Sequence, residues 1–317
     1  MRNFRGGICA FAAALLIFGA MPIFAQARYA SGQNIVPVFE GWERNSDGSF
    51  NMVFGYMNRN YEEQLEIPVG SVNNIQPGGP DQGQPTHFYR RRQQFVFKVK
   101  LPSDWGQKDL VWTLTSRGRT EKAYGTLTPV WELGNLVYQE NRGGPGEMTY
   151  PEQPNQPPTI EMVGSAQRTI TVGQPLALTV EVTDDGLPKP RVRRTEPASG
   201  PARDANTGTV ARGGALPGIE GSRVENPLTQ AVVRLDPGVR LGVTWVLYRG
   251  APGSVTFEPM KVPVIKTDAP DGTSPLRGKA TTSVTFSQPG NYRLRAYADD
   301  GVLITPLDVN VSVEAAR

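Results

Sequence analysis

Leu176, Leu178, Val180 and Val182, with Ala, Thr and Glu between them, constrain this chain more than any other feature. Side chains two residues apart share one face of a strand, whereas a helix would scatter them around its axis. The pattern returns at Phe50-Met52-Phe54-Tyr56, Phe95-Phe97-Val99-Leu101, Leu110-Trp112-Leu114 and Val243-Trp245-Leu247. It returns again at Val284-Phe286, Tyr292-Leu294-Ala296-Ala298 and Leu307-Val309-Val311-Val313. Each run is short and stops at Gly, Pro, Asn or Asp, in a chain with 35 Gly and 28 Pro. Strands with one dry and one wet face belong to antiparallel sheets, so the chain is expected to be all-β.

The runs fall into two blocks. The first, residues 34–139, is expected as an N-terminal β-sandwich whose Asn45-Ser46-Asp47-Gly48 makes a hairpin turn and whose Asn73–Gln84 stretch is loop. Residues 140–158, ENRGGPGEMTYPEQPNQPP, form a Pro/Gly-rich linker. The second block, 159–317, is a second sandwich with a flexible insertion over 189–225, too polar to bury a core. Leu228–Leu235 is read as a short edge strand after it.

Residues 1–27 read as a signal peptide: Arg2 and Arg5, an apolar run from Ile8 to Phe24, then Ala25-Gln26-Ala27. Export to the periplasm, the cell surface or the medium is the expectation, with no transmembrane segment after cleavage. The single cysteine, Cys9, lies inside that segment, so the mature chain has no disulfide, thiol nucleophile or thiolate metal ligand. Removing the two arginines from 33 basic residues leaves 31 against 30 acidic ones. That balance, with export, argues against a nucleic-acid partner and leaves an envelope protein or a glycan.

The second block resembles the immunoglobulin-like sandwiches of polycystic-kidney-disease (PKD) type found in bacterial secreted and surface proteins. The residues behind the resemblance are Val182-Thr183-Asp184-Asp185-Gly186-Leu187-Pro188, Trp245, Gly250–Phe257, and Pro289-Gly290-Asn291-Tyr292-Arg293-Leu294 leading to Asp299-Asp300-Gly301. It implies that Trp245 packs on Leu178 and Leu294, and that Tyr292, two residues before Leu294, forms a tyrosine corner. It also implies that Asp184-Asp185 and Asp299-Asp300 share one pole of the sandwich. Two readings of these four aspartates stay open: a Ca²⁺ site stiffening the domain junction, or Asp-Gly turns with no ion.

Other candidates are weaker. The stretch Lys189–Arg240 holds nine basic and five acidic residues, and Arg191, Arg193 and Arg194 are its candidate partner-binding groups. Arg90-Arg91-Arg92 is a second small basic run, which on a strand edge would equally serve to block edge pairing. Trp42, Tyr61, Phe88, Tyr89, Trp105, Trp131 and Tyr248 are candidate sugar-stacking platforms. Catalysis has little to work with: one histidine, His87, no G-x-S-x-G elbow and no phosphate-binding glycine loop. A carboxylate-based glycoside hydrolase is a remote alternative. The expected function is therefore a non-catalytic envelope or extracellular binding module acting through sandwich-pole loops, with a structural or assembly component as the alternative.

Overall fold

The structure, a computed structural model, describes residues 29–142, 154–188, 231–236, 239–251, 253–268 and 276–316. The expected signal peptide, most of the linker, and the insertion with Arg191, Arg193 and Arg194 lie outside the described residues.

The first block holds β1 (Ile35–Arg44), β2 (Phe50–Asn58), β3 (Leu65–Glu66), β4 (Asn73–Gln76), β5 (His87–Phe88), β6 (Arg91–Leu101), β7 (Leu110–Ser116) and β8 (Arg119–Gly125). They form two three-stranded sheets, β1-β2-β6 and β4-β7-β8, with a small β3-β5 ladder. The alternating apolar residues of both sheets meet in one core. Phe54 stacks on Phe97 at 5.5 Å between ring centres, and Trp112 meets both rings edge-on. Gly55 is required where β1, β2 and β6 crowd together: a Cβ there would lie 2.0 Å from the Glu40 carboxylate and 2.5 Å from the Gln93 carbonyl.

Three expectations change here. The Asn73–Gln84 stretch is not all loop, because Asn73–Gln76 is β4, paired with β7. Asn73 is buried, donating to the Ile67 and Pro85 carbonyls and accepting from the Trp112 indole, which holds a Pro/Gly-rich segment in a sheet. Arg91 and Arg92 begin the edge strand β6, but their side chains are engaged within the sandwich. Arg91 stacks over Tyr61 at 3.8 Å and Arg92 pairs with Glu40 at 2.7 Å. A short helix, α1 (Asn135–Asn141), runs into what the sequence reads as linker.

The second block holds β9 (Thr159–Met162), β10 (Gln167–Thr171), β11 (Leu176–Asp184), β12 (Gly242–Arg249), β13 (Val255–Glu258), β14 (Lys261–Pro263), β15 (Ile265–Asp268), β16 (Leu276–Phe286), β17 (Gly290–Asp299) and β18 (Ile304–Glu314). One sheet runs β10-β18-β17-β12-β14; the other runs β13-β16-β11-β9 with β15 also on β16. The first strand pairs with one sheet and its continuation, β10, runs parallel to β18 in the other. This is an immunoglobulin-like β-sandwich by its strand order. The all-β expectation holds. The described part of Leu228–Leu235, from residue 231, is irregular rather than an edge strand.

Trp245, Leu178 and Leu294 are fully buried in one core. The Tyr292 hydroxyl donates to the Gln288 carbonyl at 2.9 Å, closing the turn before β17. Gly250 sits against that ring at φ 145°, and a Cβ there would lie 2.3 Å from the ring carbon Cδ1.

Candidate functional site

Two β-bulges build the junction between the sandwiches. In β6 the register slips between Phe97 and Gln93 opposite Gly55, and Phe95 takes φ 53°. A bulge re-aims a side chain. Phe95 accordingly leaves the inward stripe of Phe97, Val99 and Leu101 and packs on Tyr138 of α1, with ring centres 4.5 Å apart. In β12 the extra residue is Tyr248, between the pairs Leu247–Leu294 and Arg249–Arg293. Tyr248 leaves its own sandwich and enters the core of the first, where it is 2 % exposed. Its hydroxyl donates to the Gly83 carbonyl at 2.5 Å, and the Arg295 guanidinium lies 3.6 Å over its ring.

Each sandwich covers an open strand edge of the other. Beyond Trp245, whose amide donates to the Met260 carbonyl, β12 has no strand partner on the β14 side among the described residues. The first sandwich caps it: the Leu247 amide donates to the Tyr89 hydroxyl at 2.8 Å and the Thr86 amide to the Tyr248 carbonyl at 3.1 Å. Conversely, the β6 carbonyl of Val96 accepts from Arg295 at 2.9 Å and from the Tyr297 hydroxyl at 3.4 Å. Arg249 reaches across to Asp81 with two contacts of 2.8 and 2.9 Å. Its guanidinium holds the Asp81 carboxyl at about 2, below the usual range. Burial pushes the phenols of Tyr56, Tyr89, Tyr248 and Tyr297 above the ordinary tyrosine range, so all four remain neutral hydrogen-bonding groups.

Beside this seam lies a cleft of about 390 Å³. Phe95, Phe97, Tyr138 and Tyr297 give it aromatic surface, and Val302, Leu303, Ile304 and Pro306 give it aliphatic surface. Its charged groups are mostly paired in advance. Lys98 holds Glu43 at 2.7 Å, and the Tyr138 hydroxyl donates to the same carboxylate at 2.6 Å. Arg295 holds Asp308 at 2.5 and 3.0 Å. Arg142 holds the fully buried Asp299 at 2.5 Å and donates to the Val233 carbonyl.

Thus one wall of the cleft is the 300–303 turn at the pole that the sequence singled out. The four aspartates there have specific duties. Asp184 accepts from the Gly186 amide and Asp185 from the amides of Leu187 and Gln156. Asp299 accepts from the Gly301 amide, while Asp300 accepts from the amides of Val302 and Leu303 and from the Asn155 side chain. Burial raises Asp184 to about 7, with Asp300 and Asp185 adding like-charge repulsion; burial likewise raises Asp300 to about 6. One oxygen, Asp184 Oδ1, is buried without a partner. Among the described residues no group of three or more His, Cys, Asp or Glu is disposed to hold a metal ion. The other oxygens are taken by amides and by Arg142, so this donor set does not fit Ca²⁺ as it stands.

The remaining candidates scatter. Trp42, Phe88, Trp105 and Tyr248 are core residues rather than sugar platforms, Tyr61 lies beneath Arg91, and Tyr89 serves β12. Trp131 alone of the seven is broadly exposed, at 49 %. His87 is buried on β5, with Nε2 2.8 Å from Gln64 and Nδ1 3.5 Å from Glu66. The cleft residues Phe95, Tyr138 and Arg142 escaped the sequence reading; a Phe in an alternating run gives no sign that a bulge will expel it.

No protein-family profile and no curated protein sequence matches the chain. Among solved structures, it is similar to domains 4 and 5 of the S-layer protein SbsC at 10 % identity, covering 89 % of this chain and 98 % of that one, with a TM-score of 0.21. The fibronectin(III)-like modules of Clostridium thermocellum CbhA match at 10 % identity over 90 % and 96 %, with a TM-score of 0.20. The titin domains z1z2, solved in complex with telethonin, match at 8 % over 89 % and 98 %, with a TM-score of 0.21. The immunoglobulin-like assignment rests on the strand order itself, to which these scores add nothing. No helix among the described residues is long and apolar enough to cross a membrane.

Proposed function

We propose that this chain is a non-catalytic, exported binding module of the envelope or extracellular space, and that its ligand site is the cleft between the sandwiches. The observation that carries this reading is a preformed concave surface, aromatic and aliphatic, built by both sandwiches and bordered by a sandwich-pole turn. A single sandwich would not have it. The two acids of the cleft, Glu43 and Asp308, are each tied to a cation, an arrangement unlike a hydrolase's free proton donor. Assignment of the second sandwich to the PKD type belongs to the same proposal.

The test is capture from envelope extracts by wild type and by Leu303→Trp, which adds bulk to the cleft wall, with matching thermal melts showing that the variant is folded. A partner recovered in stoichiometric yield by wild type and lost by the variant is expected. Equal recovery by both proteins rules the cleft out. The structural alternative has its own support: covered strand edges and an exchanged Tyr248 make the two sandwiches one body, suited to bearing load in an assembly. That reading predicts co-purification with a complex that ignores the cleft variant.

A further inference from the structure

The second sandwich presents another concavity, a polar trough of about 410 Å³, on the part of its five-stranded sheet that the first sandwich leaves open. Strand register explains its chemistry. Gln167 on β10 pairs with Asn310 on β18, Asn310 with Arg293 on β17, and Arg293 with Arg249 on β12. Four polar residues therefore cross four strands in one row. The next row carries Thr169, Ser312 and Asn291. No Asp or Glu lines the trough.

The charges in the row are unequal. Like charges directly opposite each other on neighbouring strands repel. Arg249 is neutralised by its two contacts to Asp81, and its Nε donates to the Gln84 carbonyl. Arg293 has only a 3.3 Å hydrogen bond from Nε to the Asn310 side-chain oxygen and forms no ion pair among the described residues. Arg168 touches the trough through its place on β10, but its register with the core residue Val311 turns its side chain to the inner face, where it donates to the Val163 carbonyl. One guanidinium charge without an ion pair, that of Arg293, thus faces a surface whose other groups are mostly amides and hydroxyls.

We propose that this trough binds an acidic polysaccharide, with a carboxylate or sulfate group on Arg293 and sugar hydroxyls on Asn310, Gln167 and Asn291. A guanidinium recognises such oxyanions through paired N–H donors. A row over four strands spans about 14 Å at ~4.8 Å per strand, room for an oligosaccharide rather than a lone ion. The trough is a separate surface from the cleft, although Arg293 borders both.

Binding of oligogalacturonate, a sulfated glucan and neutral dextran, measured by calorimetry at low and high salt on the full chain, tests this. The acidic polymers are expected to bind, more weakly as salt rises, and dextran is expected not to bind. Arg293→Gln should weaken binding roughly tenfold to a hundredfold. Asn310→Ala, remote from the cleft, should weaken it too while the extract capture described above is unchanged. Thermal melts matching wild type show that the variants remain folded. Dextran binding as well as the acidic polymers, or both variants binding undiminished, overturns the proposal. So does binding of inorganic sulfate with none of either polymer.

Discussion

Asp184 offers a quantitative test of the polar chemistry at the sandwich pole. Its carboxyl is 4 % exposed, has one oxygen without a partner and is raised by burial from 3.8 to about 7. Between about pH 4 and pH 7 the folded protein therefore binds more protons at this site than the unfolded chain does. Stability falls as pH rises through that window and is flat above it. Three pKa units correspond to about 4 kcal/mol at most, and coupling to Asp300 lowers the share belonging to Asp184 to about 2–4 kcal/mol. Asp184→Asn is nearly isosteric with the protonated acid and keeps an acceptor for the Gly186 amide. The variant should match wild type at pH 4 and exceed it by about 2–4 kcal/mol at pH 8, with a melting temperature roughly 5–10 °C higher. Urea unfolding curves from pH 4 to 8 read this directly. A variant that differs from wild type equally at both ends, or is weaker at pH 8, refutes the electrostatic reasoning.

Other outcomes follow from the junction and the corner. Tyr248→Ala removes a ring buried in the opposite core and should cost about 3–5 kcal/mol; paired with Arg295→Ala the losses should be clearly less than additive in a double-mutant cycle. Arg142→Ala leaves Asp299 buried without its cation, and a loss of about 3–5 kcal/mol is expected in urea unfolding. Tyr292→Phe deletes the hydroxyl bond to Gln288 and should cost about 1 kcal/mol, measured as a shift in urea midpoint at constant slope. Because all but one of the pole carboxylate oxygens are already engaged, added Ca²⁺ should leave the melting temperature unchanged, whereas a concentration-dependent rise would show that those bonds rearrange around an ion.

The period-two stripes carried eight of the eighteen described strands, all but two of those with seven or more residues, because burial of one sheet face writes itself into alternate residues. Met52, Phe54, Leu178 and Val180 all sit in the cores. The pole was legible for a related reason: Asp-Asp-Gly caps a turn through short-range bonds to amides two and three residues on. Asn73–Gln76 was not legible, since its place in a sheet comes from distant bonds to Ile67, Pro85 and Trp112. Nor was the cleft. Phe95 and Tyr248 look like ordinary strand residues, and what expels each from its own sheet is a one-strand register slip set by the partner strand.

By itself, then, the sequence determined the all-β class and where the chain turns, because alternation and turn chemistry are local and survive in any packing. Which surfaces face each other was decided only by tertiary structure. The pairing of Arg293 with Arg249, the passage of Tyr248 into the neighbouring core and the joint walls of the cleft all depend on strand register. Register is a relation between segments far apart in the chain, and no single segment encodes it.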